Sequence, residues 1–167
     1  PIFMGSMNKI KEERQIHNWI QKYNSNYYIL SAKLDGISAL FDTKTYGINN
    51  PKLYTRGNGS IGRDISYLIP FLKIPQSCFK YELRIRGELI MKKSIFDKYY
   101  SKTCSNSRNL VAGIVNQNYV DYSTSDERNK YYDIDFVSYN IYYPTNMNFI
   151  KQVETMKRLK VKLPYII

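Results

Sequence analysis

Ser-Ala-Lys-Leu-Asp-Gly, at residues 31–36, is the stretch from which the rest of the sequence is interpreted. It follows an apolar, β-prone run at residues 27–30 and precedes another at residues 37–41. In an extended segment, Lys33 and Asp35 share one face. A lysine at the end of a strand, beside a carboxylate and a glycine, suits a nucleophilic amine held against a phosphate. For residues 33–36 taken alone, an exposed Lys–Asp ion pair in a hairpin is the commoner explanation.

The composition indicates a folded protein with a polyanionic partner. The chain has 167 residues, of which 43% are hydrophobic and 15% aromatic, enough for one domain with a core. Its net charge of +11 favours nucleic acid as a partner, although AT-rich codon usage also enriches lysine. His17 is the only histidine, which excludes a histidine-based metal site or a Ser-His triad.

Processing and location are predicted from the same composition. No apolar run reaches the roughly 18 residues of a membrane span, and we find no signal peptide. Cys78 and Cys104 fit neither a metal nor a disulfide framework, so we expect reduced thiols and a cytoplasmic protein. We interpret residues 1–6, ahead of Met7, as an expression remnant, and residues 7–167 as a single domain.

The hydrophobic pattern predicts an α+β fold, with helices flanking antiparallel or mixed β-sheets. The predicted helices cover residues 8–23, 94–100, 105–116 and 147–160. The predicted strands cover residues 27–35, 37–42, 52–55, 81–91 and 132–143. Polar residues 121–130 are predicted to form a loop. Ser94 is the predicted cap of the second helix.

Two segments carry further signals. Residues 81–91 alternate between apolar and charged side chains, and Gly87 within them favours the wall of a nucleotide cleft over a solvated outer face. Residues 56–64 contain three glycines, so their backbone amides could face an anion. A tight turn produces the same composition.

Taken in order, the motifs resemble those of the adenylation (nucleotidyltransferase) domain of NAD-dependent DNA ligases, over roughly residues 8–163. Lys-Leu-Asp-Gly is similar to the lysine nucleophile motif of that family, which ATP ligases, RNA ligases and capping enzymes share. Thr-Arg-Gly-Asn-Gly and Ser-Arg-Asn with its following Ala-Gly are similar to motifs of the NAD-dependent branch. The matching segments are residues 33–36, 55–59, 86–89, 107–113 and 135–142.

The resemblance implies a partial nucleotidyltransferase core, related to ATP-grasp ligases, and a three-step reaction. Lys33 would attack the α-phosphate of NAD, release nicotinamide mononucleotide and hold AMP as a phosphoramide. AMP would pass to the 5′-phosphate of a DNA nick, where the 3′-hydroxyl displaces it. The attacking amine must be neutral. Mg²⁺ would neutralise charge on the transferring phosphate.

The resemblance also implies a role for each site residue. Asp35 would assist Lys33 in catalysis by orienting it or the nucleotide. In the nucleotide site, Glu88 would hydrogen-bond the ribose, Tyr139 would stack on the adenine, and Leu34 would line the pocket. Three arginines complete the predicted site. Arg56 would contact the nucleotide or the nicked strand, and Arg108 and Arg86 would bind phosphate or nucleic acid.

Four positions depart from the family pattern. Ser31 stands in place of a glutamate, Asn58 in place of an aspartate, Asn116 in place of a second arginine, and Ser107 in place of a proline. These departures keep open a degenerate, non-catalytic protein that binds nicks or nucleotides. An ATP- or GTP-dependent RNA ligase or capping-type enzyme is the other alternative.

The resemblance further implies that this chain is part of a longer polypeptide. The later lysine motifs and the domain that binds nicotinamide mononucleotide would lie outside it, as would the OB-fold, zinc-finger, helix-hairpin-helix and BRCT parts. Zinc would belong only to such an outside part. The expected partners are nicked double-stranded DNA and those missing domains, without a membrane. We expect the fragment alone to form little enzyme-AMP and to seal no nicks.

Overall fold

The architecture is known from a computed structural model that describes residues 2–5, 9–25, 28–117 and 129–166. The α-helices are α1 (Glu13–Tyr23), α2 (Lys93–Tyr99), α3 (Ser107–Asn116) and α4 (Phe149–Arg158). The strands are β1 (Ile37–Asp42), β2 (Lys52–Thr55), β3 (Arg84–Met91) and β4 (Ile134–Tyr143). Short 3₁₀ helices occur at Ser66–Leu68, Gln76–Lys80 and Lys130–Asp133. In these described ranges no helix is long and apolar enough to cross a bilayer.

The four strands form a sheet in the order β2-β1-β3-β4, and every pairing within it is antiparallel. The predicted α+β fold is therefore confirmed. Side chains alternate across the sheet, as expected for strands with one face in the core. Ala39 and Phe41 of β1 and Ile85 and Leu89 of β3 are almost fully buried in that core. The opposite face is polar and carries the candidate site.

Two irregularities in β4 set which side chains reach the polar face. Arg86 pairs with Asn140 while its neighbour Gly87 pairs with Ser138, which leaves Tyr139 as an extra residue. A second register shift, between the first two residues of β3, leaves Tyr142 unpaired in the same way. Bulges of this kind bend a strand and re-aim its side chains. Both tyrosines line the cavity described below.

The glycine in β3 allows two strands to pack closely. A Cβ atom added to Gly87 would lie 2.6 Å from the carbonyl oxygen of Val137 and 2.6 Å from the ring of Phe136. The absent side chain therefore makes room for β4. Arg86 and Glu88, on either side of Gly87, line the cavity described below, and the interpretation of β3 as the wall of a nucleotide cleft stays a prediction.

The segment before β1 differs from its prediction. Residues 28–35 do not form a strand, and their backbone pairs with the C-terminal segment through a bridge between Ser31 and Ile166. The amide of Ala32 donates to the carbonyl of Tyr165, 2.9 Å away. Without a longer neighbouring strand, a β-prone sequence cannot build a ladder. The prediction of a strand over residues 27–35 is therefore wrong for the described residues 28–35, and the strand geometry assumed for Lys33 and Asp35 is absent.

Helix α1 is shorter than predicted and lies with its apolar face exposed. The side chains of its amphipathic stripe, Ile16, Trp19, Ile20 and Tyr23, are 41–54% accessible. The ring of Trp19 packs against those of Tyr23 and Tyr28, at 5.1 and 5.4 Å between centroids.

Two further predictions concern α2 and a loop. The predicted cap of α2, Ser94, is wrong, because Lys92 occupies the cap position and makes no side-chain hydrogen bond there. Most of the predicted loop at residues 121–130 falls outside the described residues.

Candidate active site

A cavity of about 790 Å³ lies on the polar face of the sheet. It is bounded by the segment around Lys33 and by the loop at residues 56–64, which we call the glycine loop. The middle of β3, the bulged part of β4 and one face of α4 complete the lining. Seven of the eight predicted site residues line it. They are Lys33, Leu34, Arg56, Arg86, Glu88, Arg108 and Tyr139. A smaller cavity of about 330 Å³ adjoins it and shares Thr55 and Arg56.

Asp35, the eighth predicted residue, lies beside the cavity and contacts it through Arg108. A guanidinium nitrogen of Arg108 donates to Oδ1 of Asp35 at 3.0 Å. The two side chains are 56% and 78% exposed, so this ion pair adds little stability and can exchange partners easily. Arg108 occupies the first turn of α3, which Asn106 caps by accepting from the amide of Asn109. The cap fixes the helix end from which Arg108 projects.

Glu88 lies opposite Ser38 in the pairing of β3 with β1. Burial raises the pKa of its carboxyl above the ordinary value of 4.5, against a hydrogen bond from Tyr139 and the charges of Arg108, Lys33 and Arg86, which lower it. Three cations therefore lie within electrostatic reach of this carboxylate. The arrangement places one negative group among several positive groups in the lining of the cavity.

Tyr139 lines the cavity and is one of the two bulged residues of β4. Its hydroxyl lies 2.9 Å from Oγ of Ser38 and 3.4 Å from Oε2 of Glu88. Burial raises the pKa of the phenol, so the hydroxyl is protonated near neutral pH. A bulge could have turned this side chain to the opposite face of the sheet, and the structure places it on the same face as Glu88.

The glycine loop is a tight turn whose amides mostly bond within the loop. The amides of Ser60 and Ile61 donate to Oδ1 of Asn58, at 3.0 and 2.9 Å. The amide of Gly59 donates to the carbonyl of Arg56, and that of Asn58 donates to the carbonyl of Ile61. The prediction that the loop amides are free for an anion is wrong for these four groups.

The same contacts explain one departure from the family pattern. Asn58 acts as an acceptor for two backbone amides, and an amide oxygen can fill that role as a carboxylate does. Asn116, at the end of α3, is a second departure, and here Arg63 donates to the backbone carbonyl of Asn116 at 2.8 Å. A guanidinium is therefore present beside the position where the second arginine was expected.

Several cavity residues were not among the predicted site residues, and Ser38, Tyr142 and Lys9 are three of the polar ones. Ser38 could have been found, because it is a polar residue two positions after Gly36, within a mostly apolar strand. Tyr142 depends on a bulge that the sequence does not reveal. Lys9 is distant in the sequence from the other cavity residues, and no local pattern around it indicates a binding role.

The N-terminal segment contacts the site as well. Met4 is only 4% exposed, and its amide donates to the carbonyl of Gly59 at 2.8 Å. The carbonyl of Gly5 accepts from Arg86 at 3.1 Å. The interpretation of residues 1–6 as an expression remnant stays a prediction, and these contacts are of the kind that a segment of the domain itself would make.

The residues fit part of a dinucleotide better than they fit a metal ion. An aromatic side chain, a carboxylate and several cations surround a cavity large enough for a nucleotide. Among the residues that the structure describes, no group of three or more His, Cys, Asp or Glu side chains could hold a metal.

Comparison with known proteins agrees with this geometry. The family described as the NAD-dependent DNA ligase adenylation domain matches residues 2–163. The chain belongs to this family. The match begins within the N-terminal segment and includes all eight predicted site residues.

Several viral and bacterial proteins are similar to this adenylation domain. A DNA ligase of Acanthamoeba polyphaga mimivirus is 39% identical over 99% of this chain, and a putative DNA ligase of Invertebrate iridescent virus 6 is 36% identical over 95%. A DNA ligase of Borreliella burgdorferi is 32% identical over 66%. The chain spans about 25% of each viral relative and 18% of the bacterial one.

Proposed function

We propose that the full-length protein is an NAD-dependent DNA ligase of DNA replication and repair, and that this domain forms its covalent AMP intermediate on Lys33. The supporting observation is the convergence of Lys33, Glu88, Tyr139 and Arg108 on one cavity, although they are distant in sequence. Nicked double-stranded DNA is the proposed substrate, and the remaining parts of the polypeptide are the proposed partners.

The first step is nucleophilic attack at phosphorus. Nζ of Lys33, in its neutral form, forms a bond to the α-phosphorus of NAD, and the bond from that phosphorus to the bridging oxygen breaks. Nicotinamide mononucleotide leaves with the oxygen, and the nitrogen loses a proton to solvent. The domain then holds AMP for transfer to the 5′-phosphate of a nick.

The surrounding side chains bind and orient the nucleotide. Tyr139 offers a ring for stacking on adenine, and Glu88 accepts a hydrogen bond from a ribose hydroxyl. Arg56, Arg108 and Arg86 are the proposed phosphate and nucleic-acid contacts, while Leu34 lines the pocket. Arg108 can leave Asp35 for a phosphate at small cost, because their ion pair is exposed.

The experiment is label transfer from NAD that carries ³²P in its AMP half. The full-length wild-type protein is expected to become labelled, and Lys33→Ala is expected to abolish the label because no other amine occupies its position. Parallel reactions with ATP and GTP labelled at the α-phosphate separate an NAD ligase from the nucleotide triphosphate-dependent alternatives.

Lys102→Ala is the matched control, since it removes an exposed lysine that does not line the cavity. It is expected to label like the wild type. Labelling that survives Lys33→Ala would contradict the assignment of the nucleophile. Labelling from ATP or GTP but not from NAD would contradict the choice of nucleotide.

A second candidate is a non-catalytic protein that binds nicks. Ser31 supports it, because this exposed serine stands where the family has a carboxylate beside the nucleophile. This candidate predicts binding to nicked DNA that Lys33→Ala does not change, without labelling of the wild type. The role found for Asn58 weakens it, because that departure preserves the turn.

A further inference from the structure

Four side chains in the lining of the cavity are joined by hydrogen bonds. Nε of Arg86 donates to Oγ of Ser38 at 3.3 Å, and Oγ of Ser38 lies 2.9 Å from the hydroxyl of Tyr139. That hydroxyl lies 3.4 Å from Oε2 of Glu88. Ser38 is therefore the central link between a buried guanidinium and the two side chains proposed to hold adenosine.

The side chains at the two ends of this hydrogen-bond network, Arg86 and Glu88, determine which group donates in each bond. A guanidinium can only donate, so Ser38 accepts from Arg86. An ionised carboxylate can only accept, so the phenol of Tyr139 donates to Glu88. The Tyr139 oxygen must then accept from Ser38, whose single proton points toward it. One order of donors and acceptors satisfies all four groups.

Arg86 is itself held in place from the other side. Its guanidinium donates to the hydroxyl of Tyr142 at 3.0 Å and to the carbonyl of Gly5 at 3.1 Å, and the residue is only 9% exposed. Tyr139 and Tyr142 are the two bulged residues of β4. The bulges therefore supply both tyrosines that flank this arginine.

Ser38 also connects the network to the glycine loop. Its backbone carbonyl accepts from the amide of Arg56 at 2.9 Å, while its hydroxyl bridges Arg86 and Tyr139. One residue of β1 thus touches the loop, β3 and β4. Displacing its hydroxyl would leave a buried guanidinium N–H without its acceptor, which is unfavourable.

We propose that Ser38 is a positioning residue for nucleotide binding, which acts by orienting Tyr139 and Glu88. This inference rests on the proposed function. The hydrogen-bond network holds the ring of Tyr139 in one orientation. Its hydroxyl bonds to Oε2 of Glu88, which leaves Oε1 to accept from a ribose hydroxyl. Ser38 does not contact the reacting atoms, so it affects the affinity for NAD and not the rate of the chemical step.

The test measures single-turnover labelling of the full-length protein over a range of NAD concentrations. Ser38→Ala is expected to raise the half-saturating NAD concentration about fivefold, the effect of losing one net hydrogen bond. The maximal rate is expected to stay close to that of the wild type. A general folding defect would instead lower the labelled fraction without changing half-saturation.

A double-mutant cycle tests whether the network acts as a unit. Tyr139→Phe keeps the ring for stacking but removes the hydroxyl, so it is expected to weaken NAD binding about as much as Ser38→Ala. Combining the two changes is expected to add little, because both break the same chain of bonds. Additive losses, or an unchanged half-saturating concentration in Ser38→Ala, would overturn the proposal.

Two controls and one binding measurement complete the design. Ser94→Ala and Tyr81→Phe remove matched hydroxyl groups from exposed residues outside the cavity and are expected to behave as the wild type. Calorimetry with AMP, on Lys33→Ala protein with and without Ser38→Ala, tests positioning apart from chemistry. A wild type that never labels contradicts the proposed function alone, whereas equal AMP affinities contradict the role of Ser38.

Discussion

Single residues decide how closely the strands of this sheet can approach. Gly36 and Gly87 both face the backbone of a neighbouring strand, and a Cβ added to Gly36 would lie 2.2 Å from the carbonyl oxygen of Leu89. Gly113, on the exposed side of α3, has open space around it. The same residue type is therefore required by packing at two positions and is replaceable at the third.

Gly87→Ala is expected to destabilise the fold by about 2 kcal/mol or more, because the new methyl group overlaps β4. Gly113→Ala is the matched control and is expected to stabilise it by roughly 0.5–1 kcal/mol, since alanine is the better helix former. Urea denaturation measures both changes. Equal effects of the two substitutions would contradict the close packing of β3 against β4.

At the scale of elements, the sequence predicts best where periodicity and turn residues agree. Strands β1 and β2 have the bounds predicted for them, Ile37–Asp42 and Lys52–Thr55, because short β-prone runs are bounded there by turn residues. The helical pattern at residues 147–160 predicted α4, which begins after the capping side chain of Asn148. These elements carry their own local signals.

Other elements depend on contacts that no local pattern records. Residues 28–35 are β-prone, yet their pairing depends on Ile166, which is distant in sequence. Of the site residues, Lys33 and Glu88 were found through motifs, whereas Ser38 and Tyr142 depend on register and bulges. Burial, the part of the geometry that sets the pKa of Glu88, is likewise a property of the assembled sheet.

Helix α1 gives an element-scale prediction, because its apolar stripe contributes little to the described core. Ile20 is 42% exposed, whereas Ile85 in β3 is 1% exposed. Ile85→Ala is expected to cost about 2–5 kcal/mol of stability, and Ile20→Ala about 1 kcal/mol or less. The comparison uses denaturation of both variants under one set of conditions. A loss at Ile20 equal to that at Ile85 would mean that the stripe is buried in the protein.

At the scale of the whole molecule, charge and shape favour the same partner. A net charge of +11 accompanies a cavity with Lys33, Arg56 and Arg108 in its lining. Cations that line a concave site attract a polyanion and raise its rate of association. Part of the basic charge of the chain therefore lines the cavity at which the proposed substrate would bind.

Binding of the full-length protein to a nicked duplex is accordingly expected to weaken as salt increases. If Arg108 neutralises one backbone phosphate, Arg108→Gln reduces the slope of log affinity against log salt concentration by about 0.9. Lys93→Gln is the control, because this exposed lysine of α2 pairs with Asp97 and does not line the cavity. Titrations at several salt concentrations by fluorescence anisotropy measure both slopes. An unchanged slope for Arg108→Gln would exclude a phosphate contact at Arg108 and would leave its pairing with Asp35 as its role.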